Sequence, residues 1–176
     1  MYFTPTELSG AYIIDLQRFE DNRGFFACTW EANEFAAQGL STNVVQANLS
    51  YNRTKGTLRG MHFQHAPYAE VKLIRCVRGA IVDVIIDLRP DSESYKRWIS
   101  VELSADNRRA LYIPEGFAHG FQTLVDDVEV MYQVSQFYTP SAADGVRYDD
   151  PAFGITWPLP VSEISPKDAA WAAFAG

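Results

Sequence analysis

A chain of 176 residues is long enough to bury one substantial core, so residues 1–176 are read as one domain. The formal charge of −7 argues against a nucleic-acid coat, and no apolar run approaches the roughly 18 residues that a membrane span needs. Cys28 and Cys76 make neither a disulfide framework nor a metal spacing, and the first residues carry no basic and apolar leader, which leaves a soluble cytoplasmic protein as the expectation.

In chain order, Tyr2-Phe3 and residues 11–16 read as opening β segments, and Asp21-Asn22-Arg23-Gly24 as a turn. Residues 29–39 read as a short helix, with Thr29 near its start and Gly39 as its stop. Residues 44–50 alternate, with Val45, Ala47 and Leu49 on one face and Val44, Gln46, Asn48 and Ser50 on the other. That second, mostly polar face is either the solvated side of a sheet or the lining of a barrel cavity. Short apolar strands follow at 71–77, 80–88, 98–103, 110–113, 121–124 and 128–134, broken by Gly, Pro, Asn and Asp. No long amphipathic helix separates them, which disfavours a parallel βαβ sheet; an all-β antiparallel jelly roll or small barrel fits. From Tyr138 through Pro160 the chain is loop-like, and Ser165-Pro166 opens a short terminal helix. Arg23, Arg53, Lys55, Arg59, Lys72, Arg75 and Arg78 concentrate positive charge in an otherwise acidic chain, a segregation suited to a small anionic ligand.

The residues able to carry chemistry gather around two stretches, 58–64 with His62 and 113–121 with His119. Gly60-x-His62-x-x-His65 followed by Glu70, and later Pro114-x-Gly116-x-x-His119, partly resemble the metal motifs of cupins. There, however, His-x-His works because residues two apart on a strand share a face; His62 and His65 are three apart, and no metal ligand set is assigned. Acid–base chemistry is the second reading, since a histidine of ordinary pKa near ~6.5 is a base at neutral pH when a carboxylate fixes its tautomer. Asp83, Asp87 and Asp168 are candidate partners. Asp83 lies in an apolar strand and needs a partner if buried, while Ser165-x-x-Asp168 is also a capping-box spacing, so the residues alone leave the choice open. Tyr132 is either a phenol donor on the opposite face or a packing residue, and Lys72 and Arg59 are either anion holders or surface charges.

Taken together, Asp21-x-Arg23-Gly24-Phe25-Phe26, Gln46-x-Asn48-x-Ser50, residues 56–64, Lys72-Leu73-Ile74-Arg75, residues 113–121, Gly154-Ile155-x-Trp157-Pro158 and Ser165-x-Lys167-Asp168 resemble the nucleotide-sugar 3,5-epimerases typified by dTDP-4-dehydrorhamnose 3,5-epimerase. The resemblance runs nearly the whole chain. It implies a cupin-type jelly-roll barrel with short peripheral helices, working without metal or other cofactor. It further implies His62 as base paired with Asp168, Tyr132 as acid on the other face, and Lys72 steadying the oxygen of the intermediate. Arg23, Arg59 and His119 would hold diphosphate and sugar, and Gln46 and Asn48 the nucleotide, with Phe26 and Tyr138 stacking. The implied assembly is a homodimer whose N-terminal segments, the Arg23 region included, reach the neighbouring site. The implied reaction inverts C3 and/or C5 of a nucleotide-linked 4-keto-6-deoxyhexose, of the dTDP-4-keto-6-deoxyglucose type, in deoxysugar biosynthesis. Cys28 and Ala143 stand where the family usually has glutamates, and Tyr148 where it has a tryptophan, which implies preserved chemistry with an altered grip on the base or sugar. The competing readings are the same chemistry at a single carbon or on another nucleotide sugar, a metal-dependent cupin enzyme, and a non-catalytic sugar-nucleotide binding module.

Overall fold

The alternating stretches form strands in the computed structural model, which describes residues 1–175. In chain order these are β1 (Tyr2–Pro5), β2 (Tyr12–Asp15), β3 (Phe19–Asp21) and β4 (Gly24–Phe26), then helix α1 (Ala32–Ala37). There follow β5 (Gln46–Asn52), β6 (Thr57–Gln64), β7 (Lys72–Arg78), β8 (Ala80–Asp87), β9 (Trp98–Ser104), β10 (Ala110–Ile113), β11 (Phe117–Thr123) and β12 (Val128–Val134). The chain closes with β13 (Ala143–Gly145), β14 (Glu163–Ile164) and α2 (Pro166–Ala169).

Two sheets face each other. One runs β1-β2-β10-β7-β12-β5; the other runs β13-β6-β11-β8-β9, with β14 added alongside β6. The pairings are antiparallel except β14 with β6, and neighbours in space are mostly distant in sequence, which is the jelly-roll arrangement. Inward residues of both sheets make the core: Ile74, Cys76, Leu111 and Val130 from the first meet Ile81, Ile85, Leu103 and Phe121 from the second. Part of each outer face is covered too. Phe35 of α1 lies over Ile14, Leu73, Ala110 and Tyr112 of the first sheet, while Val146, Phe153, Trp157 and Phe174 cover Val84, Ile86 and Ala118 of the second.

Several sequence expectations shift in detail. The helix after the first hairpin starts three residues later than the Thr29 reading, because the Glu31 carboxylate takes the cap, accepting from the Asn33 and Glu34 N–H groups. Its end is as read: Gly39 sits at φ +72, and the Gly39 and Leu40 N–H groups donate back to Ala36 and Phe35. The strand expected from 121 starts at Phe117, and the stretch read as loop after Tyr138 contains β13. The terminal helix ends at Ala169, although its opening is as read, with Ser165 as cap and Pro166 at the first position.

Candidate active site

At one end of the barrel the two sheets part around a cavity of about 1010 Å³. On β5 the polar face is the inner one: Gln46, Asn48 and Ser50 are half-buried against the cavity, whereas Ala47, Leu49 and Tyr51 face out. This decides the alternative the sequence left open. Gln46 Nε2 donates to Asn48 Oδ1 at 2.7 Å, so two amides stand side by side on that wall.

Arg59 and His62 both line the cavity although they are three apart on β6, which on a regular strand would put them on opposite faces. The register explains it. His62 pairs with His119 and Arg59 with Phe121, so Gly60 and Met61 together oppose the single residue Gly120. This bulge turns the strand and re-aims His62 inward. It needs both glycines: a Cβ on Gly60, at φ +141, would lie 2.5 Å from Gly120 Cα, and one on Gly120 would lie 2.7 Å from the Arg59 carbonyl oxygen. The bulge precedes His62 and does nothing for His65, which lies past the strand end, exposed and bound to Asp144 at 2.8 Å. Among the described residues no three His, Cys, Asp or Glu side chains gather as metal ligands.

Each of the three candidate carboxylates has found its own partner. Asp168 reaches His62, Oδ1 to Nε2 at 2.7 Å, while its Oδ2 accepts from the Gly60 N–H at 3.3 Å. The capping spacing is also real, but the Ser165 hydroxyl fills that role, accepting from the Asp168 N–H at 3.0 Å and leaving the carboxylate free to cross to β6. Parallel pairing of β14 with β6 brings α2 alongside. Burial pushes the Asp168 carboxyl up, but the hydrogen bonds and charge of His62 with the Gly60 and Ser165 contacts outweigh it and hold it below the ordinary carboxylate value. A carboxylate that accepts the Nε2 hydrogen leaves Nδ1 as the basic nitrogen of the ring.

Asp83 belongs to His119 instead, Oδ2 to Nε2 at 2.8 Å, and is wholly buried, with Oδ1 lacking a hydrogen-bond partner. Burial raises its carboxyl, against the opposing pull of His119 and Lys72. Asp87 lies outside the cavity, bound to Arg89, Ser92 and Ser94.

The opposite wall carries Tyr132 on β12 and Lys72 on β7. Burial raises the Tyr132 phenol, with Arg59 pulling it down and Glu70 pushing it up, so the group remains a proton donor. Lys72 is almost buried and pairs with Glu70 at 2.6 Å. Tyr138 stands at the rim, 61% exposed.

Of the residues expected from sequence, His62, Asp168, Tyr132, Lys72, Gln46, Asn48, Arg59, His119 and Tyr138 all line this one cavity. Arg23 and Phe26 do not. They lie on the β3–β4 hairpin, a two-stranded sheet of its own, the Arg23 side chain 90% exposed and paired with Asp21 and Phe26 72% exposed. Of the seven cations grouped in the sequence, only Arg59 and Lys72 reach the cavity; adjacency along a strand alternates faces and does not bring charges together. Lys167, to which no role was assigned, lines it as well, delivered by α2 beside Asp168, and so does Glu70, whose signal was the two-residue spacing to Lys72. Ala143 leaves its part of the wall without a carboxylate, and the neighbouring Asp144 is engaged by His65. Cys28 lies away from the cavity, its thiol on the Trp30 carbonyl.

The sequence model of dTDP-4-dehydrorhamnose 3,5-epimerase matches residues 5–176. The dTDP-4-dehydrorhamnose 3,5-epimerase of Methanothermobacter thermautotrophicus is 44% identical over 172 residues, 96% of this chain and 92% of that protein. The crystal structure of the enzyme of that name from Bacillus anthracis, with TDP and PPi bound, superposes with a TM-score of 0.95 at 40% identity, covering 98% of this chain and 99% of that one. A dTDP-6-deoxy-D-glucose-3,5-epimerase from Legionella pneumophila in complex with dTDP-4-keto-L-rhamnose superposes at 0.91 with 35% identity, covering 98% and 92%. With a full-length sequence match and a shared jelly-roll barrel, the chain belongs to the dTDP-4-dehydrorhamnose 3,5-epimerase family.

Proposed function

We propose that this chain epimerises a nucleotide-linked 4-keto-6-deoxyhexose of the dTDP-4-keto-6-deoxyglucose type at C3 and C5, as a step in deoxysugar biosynthesis. The observation that carries the reading is the placement of a histidine–carboxylate pair, His62 with Asp168, on one wall of the cavity and of a protonated phenol, Tyr132, on the other. Inversion of a carbon acid asks for this: a base on one face, a donor on the opposite one. The C4 ketone acidifies the adjoining C–H bonds; His62 takes a proton, the electron pair moves onto the ketone oxygen, and Tyr132 returns a proton to the far face. Lys72 supplies the cation for the enolate oxygen. Arg59, His119 and Lys167 are the cationic or donor groups that suit a diphosphate, and the Gln46 and Asn48 amides, with Tyr138 at the rim, suit the nucleoside.

One domain carries one such site, and we read the working assembly as a homodimer. Support comes from the outer face of the first sheet, where Leu49, Tyr51, Val77 and Met131 are exposed, and from the β3–β4 hairpin, whose Arg23 and Phe26 are exposed and do not line their own chain's cavity. A cytoplasmic setting goes with a soluble nucleotide-sugar substrate; among the described residues no helix is long and apolar enough to cross a membrane.

The test is incubation with dTDP-4-keto-6-deoxyglucose in heavy water, reading the sugar by mass. Two deuterons, at C3 and C5, are expected. One deuteron makes the enzyme a single-position epimerase, and none, with every other nucleotide of the same sugar also unlabelled, removes the reading.

A further inference from the structure

Glu70 and Lys72 stand two residues apart on an extended stretch, so their side chains share a side, and that side is the cavity. Val71 between them packs outward beneath α1. The stretch is fastened to the end of β12: the Val71 N–H donates to Ser135 Oγ at 2.8 Å, and the Ser135 N–H donates to the Val71 carbonyl at 3.0 Å. Carboxylate and ammonium meet at 2.6 Å with side chains 13% and 9% exposed. Stripping both ions of water is unfavourable enough that such a pair is a poor device for stability alone. It also places a negative charge in a cavity that, on the reading above, receives a diphosphate. A carboxylate in that position is unfavourable for binding unless it acts on the cation beside it.

We propose that Glu70 is a positioning residue for Lys72: it occupies one N–H of the ammonium and fixes the remaining two toward the point in the cavity where the enolate oxygen forms. An ammonium on a four-carbon stem has no preferred direction of its own, and an oxyanion donor acts in proportion to how well it is aimed before the charge develops. The other ionisable groups lining this cavity are Tyr132 from β12, Arg59 and His62 from β6, His119 from β11 with Asp83 of β8 behind it, Asp144 from β13, Glu163 from β14, Lys167 and Asp168 from α2, and Tyr51 and Tyr138. Among these, Tyr132 also feels Glu70, whose charge adds to burial in keeping the phenol protonated. One carboxylate thus serves both the cation and the proton donor.

This inference rests on the enolate role of Lys72, and the test separates the two. Glu70→Gln preserves shape and removes the charge; kcat should fall on the order of 10- to 100-fold with KM changed by less than about 3-fold. The alkaline limb of its pH–rate profile should move to lower pH, because the Tyr132 phenol loses the neighbouring negative charge that adds to burial in keeping it protonated. Glu70→Asp, charged but shorter, should fall between Glu70→Gln and wild type. In the free protein, the Lys72 ammonium resonance, identified by its loss in Lys72→Met, should be protected from solvent exchange and lose that protection in Glu70→Gln. Wild-type kcat and pH profile in Glu70→Gln, or a lowered Tm as its only change, would overturn the proposal, as would unchanged protection of the ammonium. A fully active Lys72→Met enzyme would instead remove the enolate role of Lys72, and with it the catalytic purpose assigned to Glu70.

Discussion

At position 168 two structural demands meet on one residue. Its backbone N–H is the capped group of α2, and its side chain is the partner of His62. Because the cap uses the Ser165 hydroxyl and the Asp168 N–H, Asp168→Asn keeps the helix start and the size of the side chain. What it removes is the negative charge that, on the proposed mechanism, supports the imidazolium as His62 takes a proton. The expected outcome is a kcat lower by about 10²–10⁴-fold, the range seen when the acid behind a catalytic histidine is neutralised, with the melting temperature nearly unchanged. Steady-state kinetics beside a thermal melt checks this, and a kcat within about 3-fold of wild type would reduce Asp168 to a structural residue.

Among the elements, the end of β8 shows how a buried acid fixes a loop. Asp87 is fully buried, and its carboxylate accepts from Arg89 Nε at 2.9 Å and Nη2 at 2.7 Å and from the Ser92 and Ser94 hydroxyls at 2.5 and 2.6 Å. Burial pushes the group up, but these donors prevail and bring it down to about 2. A depressed pKa contributes stability above the unfolded value near ~3.9 and loses it as the pH falls through the folded value. Asp87→Asn should therefore be less stable than wild type by about 2 kcal/mol at pH 7, with about half of that difference remaining at pH 3, as urea unfolding at the two pH values would measure. A difference independent of pH would mean that the carboxylate charge plays no part. The three acids singled out in the sequence thus serve three different partners: Asp87 finds Arg89, Ser92 and Ser94 close by in the chain, whereas the pairings of Asp83 with His119 and of Asp168 with His62 join elements far apart in sequence, which spacing could not sort. The strands themselves were legible, since alternation and Gly/Pro breaks are local. The bulge at Gly60-Met61 was not: it exists only against Gly120, sixty positions on, although the two glycines were in plain view.

For the whole molecule, the most telling departure from ordinary patterning is the direction of β5. Its polar residues face in and its Ala47, Leu49 and Tyr51 face out, the reverse of a strand over a hydrophobic core, because here the inside is a polar cavity. The alternation was readable, but its sense depends on what each face meets. On the proposed homodimer, a second copy would cover both the outward apolar face and the hairpin bearing Arg23 and Phe26, which do not line this chain's own cavity. If Arg23 completes the neighbour's site, each working site combines His62 of one subunit with Arg23 of the other. Arg23→Ala and His62→Ala enzymes should then each be impaired, the first at substrate concentrations below KM and the second at all concentrations. Mixed in equal amounts and allowed to exchange subunits, half of the dimers are hybrids, and each hybrid holds one intact site and one doubly damaged site, so activity should return to roughly a quarter of the wild-type value. Were Arg23 to act within its own chain, every hybrid site would carry one lesion and mixing would restore nothing; that result, with subunit exchange confirmed by mass, would assign Arg23 to its own subunit and remove the shared site.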